Sequence, residues 1–410
     1  MMAEVRLNFA GWLARTFITS KLTVVFILGI VLAGTTALLL TPREETPQIV
    51  VPGAQISVTL PGASAKEVEE LIVTPLEGIV SGLTGVDHTY GTAMNSLGSV
   101  VVEFKPGQPK EQSLVKFYDR VISNLSRLPA DAGTLQMRSI DVDDVPIVTI
   151  TLASPQIDDY GLKRLADRMA ERLRSTDDVS IVSVRGGRDR EISVELDPER
   201  LEAFGISLSQ VYTAFSSSNL SLPLQATTRE RRTENIKLEG FFSSSDDVRN
   251  SVVGVHDGRP IYARDIAVVT DGPRSEIEQS SRFAFGSADS RSKTFGSESM
   301  PAVTIAVAKK KGTNAVVVCD SIIERVNRMR ENFVPSNVEM VVTRNDGQKA
   351  DDAVNTLVEH LGIAVASVGM ILALFLGWKE ALIVCVTIPL ILFTAFIADI
   401  LGKVTINRIT

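Results

Sequence analysis

Three segments of the chain are long and apolar and carry few charged residues. They cover residues 22–41, 354–376 and 381–401. A helix needs about 20 apolar residues to cross roughly 30 Å of hydrocarbon, because every backbone polar group must be satisfied within the segment. Only the short turn 377–380 separates the last two segments. We therefore expect three membrane-spanning helices, of which the last two form a hairpin.

The residues before the first apolar segment predict which end of the chain stays inside the cell. The segment 1–21 is amphipathic and carries three Lys or Arg residues against one Glu. Positive charge is retained on the cytoplasmic side, so we expect a cytoplasmic N-terminus and an external region at 43–353. A cleaved signal peptide is less favoured, since its apolar core is usually about 7–15 residues long.

Between the first two apolar segments, the pattern changes to short strands and amphipathic helices. Residues 43–140 give the order strand, helix, strand, strand, helix, strand, with a capping box at 64–67. Pro75 is expected to bend or interrupt the first helix, and we place a loop at 91–98 between the two middle strands. This order is that of a split β-α-β, or ferredoxin-like, unit.

A second unit of the same kind is divided by an insertion. Its two parts are predicted at 145–187 and 275–343, and the insertion at 188–272. An extended polar stretch at 219–239 within the insertion is interpreted as a projecting arm. Such an arm buries little within its own domain, which indicates that a partner holds it. The predicted fold class is an α+β membrane protein with three transmembrane helices, two ferredoxin-like units and an inserted subdomain.

Composition and charge exclude several classes of function. The net charge is −7 and no basic stripe with interleaved aromatics occurs, which argues against a nucleic-acid partner. Cys319 falls on a predicted soluble helix and Cys385 within an apolar segment, so no disulfide between them is expected. The three histidines lack ligand spacing, and we expect neither a metal site nor a cofactor.

Charged clusters along the chain have ordinary structural explanations. The run 309–313 (KKKGT) lacks the glycine pattern of a phosphate loop and is predicted to be a solvated strand end. No nucleophile–base pair stands out, so an enzyme is the least favoured class. Pairs of adjacent acidic residues are interpreted mainly as helix caps rather than acid–base groups; they are Asp143/Asp144, Asp158/Asp159, Asp177/Asp178, Asp246/Asp247 and Asp351/Asp352.

Five short motifs occur in the order and spacing of one transporter family. They are EETPQI at 44–49, LPGASAKEVE at 60–69, DDVPIV at 143–148, ELDPERL at 195–201 and AVAKKKGTNA at 306–315. Each motif is weak alone, but five in order over nearly the whole chain are specific. The chain resembles the N-terminal half of a resistance-nodulation-cell division efflux permease of the hydrophobe/amphiphile branch, which includes acriflavin-resistance proteins.

The resemblance implies a proton-driven exporter of amphiphilic small molecules in the bacterial inner membrane. It also implies a homotrimer that docks to a periplasmic adaptor (membrane-fusion) protein and an outer-membrane channel. Residues 43–140 would then form the first porter subdomain, and 145–187 with 275–343 the second, both in the periplasm. The insertion 188–272 would form half of the channel-docking layer.

The same resemblance assigns candidate site residues. In this family the second porter subdomain lines the substrate pocket, and we place Ile147, Thr149, Ser183 and Arg185 there. The strand 179–186 carries no aromatic residue, which favours a polar or anionic cargo. In the arm, which would reach the neighbouring protomer, the candidate residues are Leu222, Pro223, Leu224, Arg229 and Arg231.

The proton relay of the family lies in a fourth membrane span, and residues 402–410 resemble the lead-in to that span. We therefore expect no proton-relay residue in this chain and no transport by this chain alone. Two alternatives remain open. One is a membrane-anchored periplasmic binding or scaffold protein, and the other is a heavy-metal, protein-export or lipid-export member of the same superfamily.

Overall fold

The computed structural model describes residues 17–18, 20–45, 51–140, 144–229, 232–274, 280–295, 298–402 and 404–407. Side chains at 221–229, 232–239 and 294–295 lie outside this description. The same holds for most of the predicted amphipathic segment 1–21, for motif residues 46–49 and for Asp143 and Arg231.

The first membrane helix, α1, spans Lys21–Leu40. Its start is capped by Ser20, whose side-chain oxygen accepts a hydrogen bond of 3.2 Å from the N–H of Leu22. The cap satisfies one of the N–H groups that have no partner within the first helical turn.

The first α/β subdomain is a four-stranded antiparallel sheet with helices on one face. The strand order is β2-β3-β1-β4, which is the ferredoxin-like order that the sequence predicted. Ile56 of β1 lies opposite Val100 of β3 and Met137 of β4. The elements are β1 (Gly53–Thr59), α2 (Ala65–Val68), a π-helical turn (Glu69–Val73), α3 (Thr74–Val80), β2 (Val86–Met94), β3 (Leu97–Phe104), α4 (Lys110–Ile122) and β4 (Leu135–Ile140).

Two local features of this subdomain differ from the sequence-based prediction. The predicted loop at 91–98 is mostly strand, and only Asn95 and Ser96 form the turn. Gly91 lies within β2 rather than in a turn. A glycine occurs there because a Cβ would clash with the side chains of Glu77 and Val73. The interruption expected at Pro75 is the π-helical turn that precedes it. A proline cannot donate to the carbonyl four residues earlier, so the irregular hydrogen bonding falls in the turn before it.

The second α/β subdomain begins with β5 (Val148–Ala153), α5 (Asp159–Leu173) and β6 (Val179–Arg185). Asp158 caps α5 by accepting a hydrogen bond of 2.9 Å from the N–H of Gly161. After β6, the chain leaves this subdomain and enters the insertion.

The insertion is a separate small subdomain built on one antiparallel strand pair. Its first and last strands pair from Arg190 opposite Pro273 to Leu196 opposite Ala267. Apolar side chains of its helices and second hairpin form a core of their own. The elements are β7 (Arg190–Leu196), α6 (Pro198–Phe204), α7 (Leu208–Ser218), β8 (Ser221–Arg229), β9 (Arg232–Glu239), α8 (Ser245–Arg249), β10 (Val252–His256), β11 (Arg259–Tyr262), α9 (Ala263–Ile266) and β12 (Ala267–Pro273).

The chain then returns to complete the second subdomain with β13 (Arg282–Phe283), α10 (Ser292–Phe295), β14 (Met300–Lys309), α11 (Ala315–Phe333) and β15 (Glu339–Asn345). The sheet order is β6-β14-β5-β15, with β13 pairing the start of β14. This is again the ferredoxin-like order. Helices α5 and α11 cover one face and share its core with alternate residues of the sheet.

Two further membrane helices end the described chain, α12 (Asp346–Phe375) and α13 (Trp378–Gly402). With α1, they are the three helices among the described residues that are long and apolar enough to cross a membrane. Helix α12 begins eight residues before the predicted span at 354, because its first two turns are charged and continue directly from β15. Its 30 residues give it a length of about 45 Å.

The membrane helices pack through small residues. Helix α13 contacts both α1 and α12. A Cβ at Gly34 of α1 would overlap Phe393 of α13, and a Cβ at Gly369 of α12 would overlap the Cys385 sulfur. Small residues permit this close backbone approach, on which association between membrane helices depends.

Candidate functional site

The sheet of the second α/β subdomain has two chemically different faces. Residues of a strand point alternately to opposite sides, and the Val148, Ile150 and Val303 side chains point into the core. The opposite side, which we call the open face, carries small and hydroxyl-bearing side chains. Its members are Thr149, Thr151, Ala153, Ser183, Arg185, Ala302, Thr304, Ala306 and Thr343.

Strand register arranges the open face in rows. Ala306 of β14 lies opposite Thr149 of β5 and Ser183 of β6. In the next row, Thr304 lies opposite Thr151 and Arg185. Arg185 therefore lies on the edge strand β6, whereas Thr149, Thr151 and Thr304 lie on the two central strands.

The threonine hydroxyls of the open face form a connected row. The Oγ1 atoms of Thr149 and Thr343 are 2.8 Å apart, and those of Thr343 and Thr151 are 3.2 Å apart. The Oγ1 atoms of Thr151 and Thr304 are 2.9 Å apart. A hydroxyl has one hydrogen and two lone pairs, so the row keeps unused acceptor positions after its internal bonds are made. Together with the Arg185 donors, it can hydrogen-bond polar groups of a molecule that lies on the sheet.

Three of the four predicted pocket residues lie on this face, and one does not. Thr149, Ser183 and Arg185 are members of the open face. Ile147 is only 9% exposed and packs in the core. Its N–H donates to the Val307 carbonyl and its carbonyl accepts from the Asp346 N–H, each at 2.9 Å. Ile147 precedes β5 and lies in the core cluster rather than on the open face, and its assignment to the pocket stays a prediction.

Two aromatic residues that the sequence analysis missed close one end of the open face. Phe283 and Phe285 are in edge-to-face contact, with ring centroids 5.0 Å apart. Phe285 is 4% exposed and packs on Ala153 and Ala302. These rings come from the segment before β14 rather than from β6, where aromatics were sought. The alternating sequence RFAF at 282–285 was the available signal.

A charged cluster borders the same aromatic end. The Arg291 guanidinium carbon lies 4.6 Å from the centre of the Phe285 ring. Arg291 also bonds to Asp289 at 2.7 Å and approaches Glu339 at 3.5 Å. The side-chain hydrogen bond from Arg291 lowers the pKa of Asp289. Asp289 therefore stays ionised at neutral pH, and its pair with Arg291 makes this border of the face polar.

The predicted arm is a long hairpin, and no other strand of the described residues pairs with it. Strands β8 and β9 pair from Ser221 opposite Glu239 to Arg229 opposite Arg232, and they form a sheet of two strands. The register shifts between Pro223 and Ala226, next to Leu224, and Leu222 lies just before the shift. A lone two-stranded hairpin is marginally stable in water. Its length therefore favours contact with another surface.

An aromatic groove lies at the base of the hairpin. It has a volume of about 540 Å³ and is bordered by Tyr212, Phe215 and Phe242 among other residues. Phe215 and Phe242 meet edge to face with centroids 6.1 Å apart, and Tyr212 is 76% exposed. The described residues also offer little for metal or thiolate chemistry. Within the described ranges, no group of three or more His, Cys, Asp or Glu residues is arranged to hold a metal ion. Burial raises the pKa of Cys319 to about 12, so this residue stays a thiol.

The chain resembles known exporters in both sequence and structure. It is 25% identical over 407 residues to the multidrug resistance protein MdtC of Yersinia enterocolitica serotype O:8 / biotype 1B (strain NCTC 13174 / 8081). It is 26% identical over 411 residues to MdtC of Yersinia pseudotuberculosis serotype O:1b (strain IP 31758). Each alignment covers 98% of this chain and 38% of the relative, so the chain spans well under half of their length.

Solved structures of a heavy metal efflux pump share the fold. Two crystal forms match with a TM-score of 0.75 and cover 96% of this chain and 38% of the pump. The sequence identities are 25% and 24%, and at the lower value the likeness concerns the fold alone. The profile of the AcrB/AcrD/AcrF family matches residues 13–410. The chain therefore belongs to the AcrB/AcrD/AcrF family of resistance-nodulation-cell division permeases, as its motifs predicted.

Proposed function

We propose that the protein acts in the proton-driven export of amphiphilic small molecules across the bacterial inner membrane. The family match over residues 13–410 carries this proposal, and relatives named multidrug resistance protein support it. The N-terminus would be cytoplasmic and both α/β subdomains periplasmic, in keeping with the positive charge before α1. The proton-relay residues would belong to a membrane span beyond those described.

The assembly we propose is a homotrimer that engages a periplasmic adaptor and an outer-membrane channel. The unsupported hairpin β8–β9 would lie against the neighbouring protomer, with Leu222, Pro223, Leu224, Arg229 and Arg231 as its contact residues. A partner surface would supply the support that a two-stranded sheet lacks.

The open face favours a cargo with a polar or anionic head and an apolar tail. Arg185 offers up to five N–H donors in a planar fork that matches carboxylate or phosphate oxygens. The threonine row accepts and donates further hydrogen bonds, while Phe283, which is partly exposed and packs on the buried Phe285, provides an apolar end. A molecule lying along the face would therefore meet charge, hydroxyls and aromatic surface in turn.

The test is a susceptibility panel in cells that carry the full gene, with Arg185→Ala as the variant. Loss of a charge-assisted hydrogen bond costs about 1.5–3 kcal/mol, or at least about tenfold in affinity. We expect deoxycholate, an anionic amphiphile, to become about tenfold more inhibitory, whereas the cationic dye ethidium keeps its potency. The control is Arg328→Ala, an exposed arginine of α11 that pairs with Glu324 on the other side of the sheet.

Each alternative predicts a different result from the same panel. If gene deletion changes susceptibility only to metal salts, the protein is a heavy-metal exporter and the amphiphile proposal fails. If deletion changes no susceptibility although the parent strain carries abundant protein in its membrane, a binding or scaffold role is favoured. If Arg185→Ala changes the susceptibility to deoxycholate and to ethidium equally, Arg185 does not recognise the anionic group of the cargo.

A further inference from the structure

The lysine that ends β14 is buried in an ion pair with a distant residue. Lys309 is 8% exposed and Glu44 is 3% exposed, and the Lys309 Nζ lies 2.5 Å from the Glu44 Oε1. The prediction that the run 309–313 is a solvated strand end was therefore wrong for Lys309. It holds for Lys310 and Lys311, which are exposed.

The same carboxylate also contacts the chain that follows the third membrane helix. The Thr405 hydroxyl donates to the Glu44 Oε2 at 3.1 Å. The Glu44 N–H donates to the Ile406 carbonyl at 3.0 Å, and the Ile406 N–H donates to the Pro42 carbonyl at 2.9 Å. The segments that follow α1 and α13 thus run side by side and converge on β14.

Contacts of the neighbouring residue Arg43 connect α12 and α11 to the Glu44–Lys309 pair. Arg43 pairs with Asp351 of α12 at 2.5 Å. Asp351 lies inside α12, so the prediction that it caps a helix was wrong. The Arg43 carbonyl accepts a hydrogen bond of 3.1 Å from the N–H of Ala315, the first residue of α11. All three membrane helices therefore meet the second subdomain within a few residues of Lys309.

A buried ion pair is a poor source of stability but fixes geometry well. Two charges lose hydration on burial, and apolar substitutes of similar size often leave stability unchanged or higher. Removing only one partner is strongly destabilising, because the other charge is left buried. Because each buried charge needs the other as its partner, the pair favours the arrangement in which the end of β14 meets the segment after α1.

We propose that Glu44 and Lys309 are positioning residues that transmit movement of the membrane helices to the open face. This inference rests on the proposed transport function. Lys309 is five residues along β14 from Thr304, or about 17 Å of extended strand. Because β14 is bonded on both sides within the sheet, a displacement at its end moves the threonine row with it.

The first test measures amide hydrogen exchange of the full protein in lipid nanodiscs. In the double variant Glu44→Met with Lys309→Met, apolar side chains fill the site, so we expect the thermal stability to be kept. Exchange at the amides of Ala315 and Ile406 should become about tenfold faster, because the junction opens locally. Lys309→Arg should keep the slow exchange, as should Lys310→Met at the exposed neighbouring position.

The second test measures export of an amphiphile by the same variants in cells. We expect the double variant to lower the maximal export rate about fivefold without changing the half-saturating concentration, since neither residue touches the open face. Unchanged exchange at both amides, or a wild-type maximal rate in the double variant, would overturn the proposal. If the unmodified protein exports nothing, the transport function fails, and exchange alone then decides whether the junction exists.

Discussion

At the scale of single residues, Gly347 sets how closely α12 approaches α11. A Cβ at this position would lie 2.6 Å from the Cys319 Cβ and 2.9 Å from the Ala315 carbonyl oxygen. Real side chains do not tolerate such distances, so the first turn of α12 can sit against α11 only with glycine there. This contact holds the start of a membrane helix against the core of the second subdomain.

We predict that Gly347→Ala destabilises the protein despite the better helix propensity of alanine. The added methyl group must push two helices apart, which costs about 1–3 kcal/mol. The control is Gly362→Ala in the same helix, where nothing lies within 4 Å of the added atom. Thermal unfolding in detergent should show a lower midpoint for Gly347→Ala and no decrease for Gly362→Ala. Equal midpoints would contradict the close approach.

Residue-level predictions from the sequence succeeded where the partner is near in sequence. The capping box at Ser64 and the Asp158 cap both follow from residues three positions apart. Lys309 and Asp351 failed because their partners, Glu44 and Arg43, lie 265 and 308 residues away. From local sequence pattern, a charged residue is predicted to be exposed to solvent. A counter-charge that is distant in sequence becomes visible only in the folded structure.

At the scale of elements, an ion pair links α5 to the start of the insertion. The Arg188 guanidinium donates to both carboxylate oxygens of Asp159, with the shortest distances 2.9 Å. These side-chain hydrogen bonds lower the pKa of Asp159. Lys163, one turn further along α5, pairs with Asp189 at 3.3 Å. The insertion is therefore held to the second subdomain at the point where the chain leaves β6.

We predict a pH-dependent effect of Asp159→Asn. Because folding lowers the pKa of Asp159, its contribution to stability is complete above the ordinary carboxyl pKa of about 3.9. The contribution disappears as the pH falls through the lowered folded-state pKa. Chemical unfolding at pH 7 should show a loss of about 1 kcal/mol, and the loss should shrink toward zero in acid. Glu171→Gln, in an exposed pair with Arg174, should have little effect at either pH.

Element order followed from periodicity, whereas the special positions did not. The alternation of β5 and β14 and the apolar stripe of α11 were visible in the sequence and gave both ferredoxin-like orders. The family resemblance assigned Thr149, Ser183 and Arg185 to the pocket, and the structure places them together on the polar half of the same alternation. Phe285 could not, because its segment lies outside the main strands and reaches the face only through tertiary packing.

At the scale of the whole molecule, the apolar helices determine which segments share a side of the membrane. The segments after α1 and α13 meet beside Glu44, which puts both on the side of the α/β subdomains. The turn between α12 and α13 must then lie on the opposite side of the bilayer. This arrangement is independent of which face of the membrane is cytoplasmic.

We predict that a membrane-impermeant maleimide labels Arg200→Cys in spheroplasts but labels Lys379→Cys only after lysis. Arg200 lies on α6 of the insertion, and Lys379 in the first turn of α13, next to the connection between α12 and α13. The background should carry Cys385→Ser, while Cys319 is buried and can remain. The reverse labelling pattern would place the subdomains in the cytoplasm and contradict the proposed orientation.

The direct continuation of β15 into α12 has a consequence for how the protein senses its surroundings. Asn345 ends the strand and Asp346 begins the helix, so no flexible linker lies between sheet and bilayer. A membrane helix adjusts its tilt to the thickness of the hydrocarbon around it. A change of tilt therefore acts directly on the end of β15, so lipid chain length becomes a mechanical input to the sheet.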